Sequence, residues 1–216
     1  MTSTAGERST LRALDESTRR LVRLAAIIAA GDEQAVRAVL IESIQGALSV
    51  PWIEELILQS YLFCGFPRSL NAMREWRRLT GENAAVTVDD GGPEEWRRRG
   101  EATCRLVYGA MYDRLRVNIR GLHPELDEWM IVEGYGKVLS RPGLDLQRRE
   151  LCIVAACAAS EQDRQLHSHL HGAINVGVSP EALSAAIASL EGVVSETSLS
   201  TTRLLWRRVQ SQLGSS

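Results

Sequence analysis

The chain has 216 residues, of which 44% are hydrophobic, and a formal net charge of −2. This length can form one sizeable core or two small ones, and the near-neutral charge gives no electrostatic argument for binding nucleic acid. No apolar run reaches the roughly 18 residues of a membrane-spanning helix, and the polar N-terminal segment TSTAGERST has no apolar signal core. We therefore expect a cytoplasmic protein with no membrane or nucleic-acid partner.

The first part of the chain shows helical patterns separated by glycine and proline. Residues 1–10 are polar and are predicted to be disordered. Apolar residues then recur every three to four positions, which is typical of amphipathic helices. Four helices are predicted, over 11–31, 32–45, 52–63 and 68–80. They form a first helical unit over 11–81, and the composition of 82–93 predicts a linker.

The remaining residues, 94–216, are predicted to form a second helical unit. Its helices are expected over 94–122, with an interruption at Gly100 or Gly109, from His123 onward, over 147–159, over 161–175, and from Ser179 onward. Ser160 is predicted to cap the helix 161–175, with Asp163 completing a capping box. Gly177 is predicted to adopt the left-handed conformation that follows many helices.

The two parts of the chain contain similar segments. TRRLVRLAAIIAAGDEQ matches QRRELCIVAACAASEQD at an offset of about 129 residues. Such repetition predicts two copies of one helical unit. At this offset Leu21 occupies the position of Glu150, and the counterpart of His169 falls near 38–40. The first copy therefore keeps the scaffold and lacks the polar pair.

Most candidate functional residues fall within 141–183. Glu150 lies near the start of an apolar helix, where it either borders an apolar pocket or simply complements the helix dipole. On the following helix Gln162, Gln165 and His169 are three and four residues apart, so they are expected to share one face. His169 is the candidate acid–base residue, with a structural core histidine as the alternative.

Two further histidines, His167 and His171, are four residues apart on a different face of that helix. Such a pair can bind a metal only when other elements supply further ligands. No cysteine or aspartate pair at ligand spacing lies nearby. We therefore predict no metal site.

Several short patterns between Glu133 and Leu183 occur together: R-P-G-L, R-E-L in an alanine-rich helix, L-x-x-H and G-A-x-N-x-G-V-S-x-E. Together they resemble the carboxymuconolactone decarboxylase and alkylhydroperoxidase D superfamily. The resemblance implies an all-α fold of tandem helical units that form a pseudo-dimer within one chain. It also implies further assembly into a homo-oligomer.

The peroxidase branch of that superfamily has an active-site glutamate, a CxxC pair twelve and fifteen positions later, and a histidine at nineteen. Glu150 and His169 match this spacing, but Gln162 and Gln165 replace the two cysteines. An amide can act neither as a thiolate nucleophile nor as a resolving thiol. The resemblance therefore argues against a CxxC peroxidase and favours the decarboxylase branch, which uses no metal or organic cofactor.

The predicted function is cofactor-independent acid–base chemistry on a small carboxylate or lactone. His169 would be the general acid or base, and Glu150 would orient it or share its proton. The predicted substrate-binding residues are Gln162, Gln165, Arg141 and Tyr135. For Arg141 a structural salt bridge is the alternative role.

Two other functions stay open at this point. One is a thiol peroxidase that uses a cysteine outside a CxxC motif, for which the candidates are Cys64, Cys152 and Cys157. The other is a scaffold or binding protein that kept the fold of the family without its chemistry.

Overall fold

The computed structural model describes residues 10–83 and 91–214. Within these ranges the chain forms helices joined by turns, and the β-structure there is a single parallel bridge between Leu11 and Val178. The predicted all-α fold is confirmed. No helix in the described ranges is both long enough and apolar enough to cross a membrane. The predicted disorder at 1–9 and the central part of the predicted linker, 84–90, lie outside the described residues.

The first unit contains three helices: α1 Glu16–Ala30, α2 Glu33–Gln45 and α3 Val50–Thr80. The first helix begins at Glu16 and not at Leu11, because Leu11 is extended and Asp15 caps the helix by accepting a hydrogen bond from the Thr18 amide. The two helices predicted over 52–63 and 68–80 are continuous except at Gly65, where a φ of 80° bends α3.

The central region contains five helical segments: α4 Pro93–Tyr108, a 3₁₀ turn Gly109–Met111, α5 Tyr112–Leu122, α6 Pro124–Trp129 and a π-helical segment Met130–Leu139. The predicted interruption occurs at Gly109, where φ is 53°, and not at Gly100. Gly100 instead brings two backbones together, since a Cβ there would lie 2.0 Å from the carbonyl oxygen of Ile131.

Within the predicted second unit, 94–216, the part that repeats the first unit contains four helices, and the name second unit is kept for this part below. They are α7 Leu146–Ala159, α8 Asp163–Asn175, α9 Pro180–Ala188 and α10 Glu196–Leu213. The N-cap prediction for Ser160 is wrong: Ser160 ends α7, and Gln162 precedes α8 without a side-chain cap. The cause is Glu161, whose left-handed φ of 57° adds a residue to the turn. The predictions for Gly177, with a φ of 100°, and for Ser179, which caps α9, are confirmed.

The two units repeat at an offset of 130 residues, one more than the sequence match suggests. Asp15 and Asp145 occupy equivalent N-cap positions, and both accept a hydrogen bond from the amide three residues on. Equivalent turns also place Ala47 and Gly177 in the left-handed region. The counterpart of Glu150 is therefore Arg20 and not Leu21. The helices α1 and α7 pack against each other, so the tandem units share one core.

Candidate functional site

The structure brings Glu150 of α7 and His169 of α8 together. The Nδ1 atom of His169 lies 2.8 Å from Oε2 of Glu150, which is hydrogen-bond distance. Glu150 is fully buried, and 5% of the His169 surface is exposed. A buried carboxylate is held at hydrogen-bond distance from a histidine whose ring barely reaches solvent, so the two residues form a coupled pair.

Room for this pair depends on Gly172, which lies on α8 one turn after His169. A Cβ at this position would lie 2.6 Å from Oε2 of Glu150 and 2.8 Å from Cγ1 of Val107. Both distances are too short for a real contact. The glycine thus lets α7 approach α8 closely enough for the carboxylate to reach the imidazole.

The hydrogen bond to Glu150 determines which nitrogen of the His169 imidazole can act as a base. In a neutral ring, an Nδ1–H that donates to the carboxylate leaves the lone pair on Nε2. Among the residues that the structure describes, Glu150 is the hydrogen-bond partner recorded for His169, so Nε2 can accept a proton from a ligand. The other carboxylate oxygen, Oε1 of Glu150, is buried and has no hydrogen-bond partner within 10–83 and 91–214.

Aromatic side chains from two other helices surround the pair. The ring of Phe63 on α3 meets the His169 ring edge to face, with 5.7 Å between centroids. The ring of Tyr108 at the end of α4 lies 6.4 Å from the same imidazole. Because Phe63 belongs to the first unit and His169 to the second, both units contribute to the site.

Behind Tyr108 lies Tyr135, one of the predicted site residues. The two rings are 6.3 Å apart and steeply inclined, and their hydroxyl groups are close enough to affect each other's pKa. Burial raises the pKa of both phenols, which also lie near the charge of Glu150. Both tyrosines are therefore neutral hydrogen-bonding groups at physiological pH.

The four cysteines are poor nucleophiles in this environment. Burial raises the pKa of Cys104 and Cys157 to about 12, and it raises the pKa of Cys152 further. Burial also raises the pKa of Cys64, which is partly exposed on α3. All four therefore remain thiols at neutral pH.

The two predicted glutamines lie at the exposed start of α8. Gln162 precedes the helix, and its amide donates to the carbonyl oxygen of Ser160 at 3.0 Å. Gln165 is in the first turn. No hydrogen bond among the described residues joins either glutamine to His169 or Glu150.

The remaining predicted residue, Arg141, belongs to a different cluster. Its guanidinium contacts Glu55 of α3, with Nε 3.0 Å from Oε1. The fully buried Arg149 binds the other oxygen of Glu55 at 2.8 Å and the amide oxygen of Gln59 at 2.9 Å. This cluster ties the second unit to α3 of the first.

The rings of His167 and His171 lie 5.0 Å apart on the other side of α8. Burial lowers the pKa of His171. Within 10–83 and 91–214, no three or more His, Cys, Asp or Glu side chains are grouped as a metal site requires. The absence of a metal stays a prediction.

The fold consists of tandem helical units, and a Glu–His pair lies in its interior. These two features are the basis for comparing the chain with known protein families. The chain matches the model of the carboxymuconolactone decarboxylase family over residues 2–78 and 124–195, and it belongs to this family. The first matched segment covers α1, α2 and most of α3, and the second runs from α6 to the turn before α10.

Two fungal proteins are similar to the chain, and both are called peroxisomal protein 2. The Schizosaccharomyces pombe protein is 26% identical over 147 residues, which cover 63% of this chain and 65% of the relative. The Saccharomyces cerevisiae protein is 23% identical over 159 residues, which cover 61% and 56%. The match thus spans less than two thirds of each relative. The cytoplasmic location and the homo-oligomer stay predictions for this chain.

Proposed function

We propose that the chain is a cofactor-independent acid–base catalyst in which His169 exchanges a proton with a small carboxylate or lactone. The observation that carries this proposal is the 2.8 Å hydrogen bond between Nδ1 of His169 and the fully buried Glu150. Membership of the carboxymuconolactone decarboxylase family supports the same class of substrate.

In this proposal Glu150 holds the imidazole in the tautomer that presents Nε2 as the base. The carboxylate would also stabilise the imidazolium that forms when Nε2 takes a proton. Gln162 and Gln165, at the exposed start of α8, would bind the part of the substrate that stays near solvent. Arg141 would bind a carboxylate only if it left Glu55.

The two alternatives have less support. A thiol peroxidase needs a thiolate, and burial raises the pKa of every cysteine, to about 12 for Cys104 and Cys157. A pure scaffold protein would have no need for a buried carboxylate with one unpartnered oxygen, because such a group costs stability.

The first test is the tautomer of His169, measured by long-range ¹H–¹⁵N NMR at neutral pH. We expect a protonated Nδ1 and an unprotonated Nε2, and we expect Glu150→Gln to change the Nδ1 signal. His171→Asn serves as the matched control, because His171 lies on the same helix outside the pair. An Nε2-protonated ring in the unmodified protein would refute the proposed base.

The second test follows turnover of a panel of small carboxylates and lactones, by carbon dioxide release and by exchange of carbon-bound hydrogen with deuterated water. His169→Gln should abolish any activity found, and Glu150→Gln should lower it about 10²-fold or more. Activity that survives His169→Gln would refute the role of this residue.

A further inference from the structure

We infer that Tyr108 is a catalytic residue whose hydroxyl group donates a hydrogen bond to a substrate carbonyl oxygen opposite His169, with Tyr135 as its positioning residue. This inference rests on the proposed function. It narrows the substrate to a small enolisable carbonyl compound, such as a lactone, whose oxygen becomes negative during proton transfer.

Tyr108 lies next to His169 in the structure. Its ring is 6.4 Å from the ring of His169 and inclined to it by 64°. Tyr108 is partly exposed, whereas Tyr135 behind it is 4% exposed, so a ligand reaches Tyr108 first. The ring of Tyr135 lies 6.3 Å from the ring of Tyr108, and its hydroxyl group is close enough to orient the Tyr108 hydroxyl group.

The fold uses an uncommon backbone to bring the two tyrosines together. Tyr135 lies within the π-helical segment Met130–Leu139, and segments of this kind are rare and frequently occur at functional sites. That segment contacts α4 through backbone atoms, since a Cβ on Gly136 would lie 1.9 Å from the carbonyl oxygen of Trp96. Two glycines, Gly136 and Gly100, thus set the distance between the two tyrosine-bearing helices.

The charges of the site favour a carbonyl oxygen over a permanent anion. Glu150 is fully buried beside His169, and the neutral phenols of Tyr108 and Tyr135 give no full positive charge to balance a second carboxylate. When His169 takes a proton from a neutral substrate, the imidazolium gains one positive charge as the oxygen gains one negative charge. The net charge of the buried site therefore stays constant, and a neutral donor is sufficient for the oxygen.

The proposed step balances without a further reactant. Nε2 of His169 removes the proton from the carbon next to the carbonyl, and the C–H electron pair forms a carbon–carbon double bond. The carbonyl electrons move to the oxygen, which Tyr108 holds by its hydrogen bond. His169 then returns the proton to carbon.

A phenolate imitates the enolate oxygen and allows a test without the natural substrate. The probe is 4-nitrophenol, whose visible absorbance reports how much of the bound compound is phenolate. We expect Tyr108→Phe to weaken phenolate binding about 10- to 100-fold, as for a hydrogen bond to a charged group. Tyr61→Phe is the matched control, because Tyr61 stacks on Phe66 at 4.7 Å and should leave binding unchanged.

Tyr135→Phe provides a second variant with a different expectation. Loss of its hydroxyl should weaken phenolate binding less than tenfold, since the direct donor remains. It should also reduce the dependence of affinity on phenol acidity across a series of substituted phenols, which a merely structural role would not change. If circular dichroism shows that Tyr108→Phe does not fold, the dependence of affinity on phenol acidity in Tyr135→Phe decides whether the two tyrosines act on the bound phenolate.

Unchanged binding by Tyr108→Phe, or no phenolate binding by the unmodified protein at millimolar concentration, would overturn the inference. The tautomer test separates this result from the proposed function, because it reports the protonation of His169 without any ligand. If Tyr108→Phe weakens phenolate binding while the tautomer test fails, Tyr108 stands and the acid–base proposal falls. If the tautomer test succeeds and Tyr108→Phe binds phenolate as the unmodified protein does, only the role inferred for Tyr108 is refuted.

Discussion

The ion cluster around Glu55 allows a quantitative prediction about stability. Glu55 accepts hydrogen bonds from Arg149 at 2.8 Å and from Arg141 at 3.0 Å. The Arg149 side chain is fully buried, and 11% of the Glu55 side chain is exposed. Removal of one member of a buried ion pair costs about 3–5 kcal/mol, because the other charge stays buried without its partner. Since glutamine keeps one acceptor oxygen, we expect Glu55→Gln to lower the free energy of unfolding by about 3 kcal/mol.

Thermal and urea unfolding, followed by circular dichroism at neutral pH, measures this change. For a chain of this length 3 kcal/mol corresponds to a Tm decrease of about 10 °C. Glu16→Gln is the control, because Glu16 forms exposed ion pairs with Arg19 and Arg20. We expect that substitution to cost about 0.5 kcal/mol or less.

A Glu55→Gln variant that unfolds like Glu16→Gln would refute the view that Arg149 depends on Glu55. A double replacement, Arg149→Met with Glu55→Leu, is a further check. It removes both buried charges and should recover at least about 1 kcal/mol relative to Glu55→Gln.

Three other predictions concern the glycine, the cysteines and the acid stability of the fold. Gly172→Ala should destabilise the protein by about 1–2 kcal/mol and disturb the Glu150 hydrogen bond in NMR spectra, because a Cβ would lie 2.6 Å from Oε2; Gly121→Ala, which has open space around it, should be neutral or stabilising. At pH 7.5 a thiol reagent such as Ellman's reagent should label the folded protein slowly and the unfolded protein rapidly at the three cysteines with buried side chains, namely Cys104, Cys152 and Cys157. The hydrogen bond from Arg116 holds the pKa of Asp127 below its ordinary value of 3.8, so its stabilising contribution is present above that pH and is lost as the pH falls through the lower, folded-state value. Urea unfolding should therefore show a difference between the unmodified protein and Asp127→Asn that shrinks below about pH 4; a constant difference would contradict this assignment.

The sequence predicts most of the fold because the residues that begin and end its helices act locally. Glycines at 65, 109 and 177 mark breaks that the structure confirms, since left-handed backbone is easiest for glycine. The turn at Ser160 is different, because Glu161 adopts the left-handed conformation without being glycine. No local signal in the sequence marks this turn.

Sequence patterns likewise do not predict that Met130–Leu139 is π-helical. Its apolar spacing resembles that of an ordinary helix, and its close contact with α4 depends on Gly100 and Gly136. The two glycines are visible in the sequence, but they lie on elements whose proximity the sequence does not reveal.

The candidate site was only partly predictable. Glu150 and His169 were found through their spacing, and the structure places them 2.8 Å apart. The predicted common face of Gln162, Gln165 and His169 assumed a helix from 161, whereas α8 begins at Asp163. The roles of the two glutamines stay predictions.

Tyr108 and Phe63 were not predicted as site residues, because they come from helices remote in sequence from α8. A weak signal exists for Tyr108, which directly precedes the helix-ending Gly109. Long-range packing, and not local pattern, brings both rings to the imidazole.

The contact between Phe63 and His169 has a consequence for how this protein can change over time. In an assembly of two identical chains, every substitution appears twice and must suit both of its environments. Here the position equivalent to Phe63 in the second unit is Val193, so each can vary separately. The first unit, which lacks the Glu–His pair, can therefore specialise in lining the site of the second unit. Laboratory evolution could randomise α3 around residue 63 to alter ligand preference while α7 and α8 stay untouched.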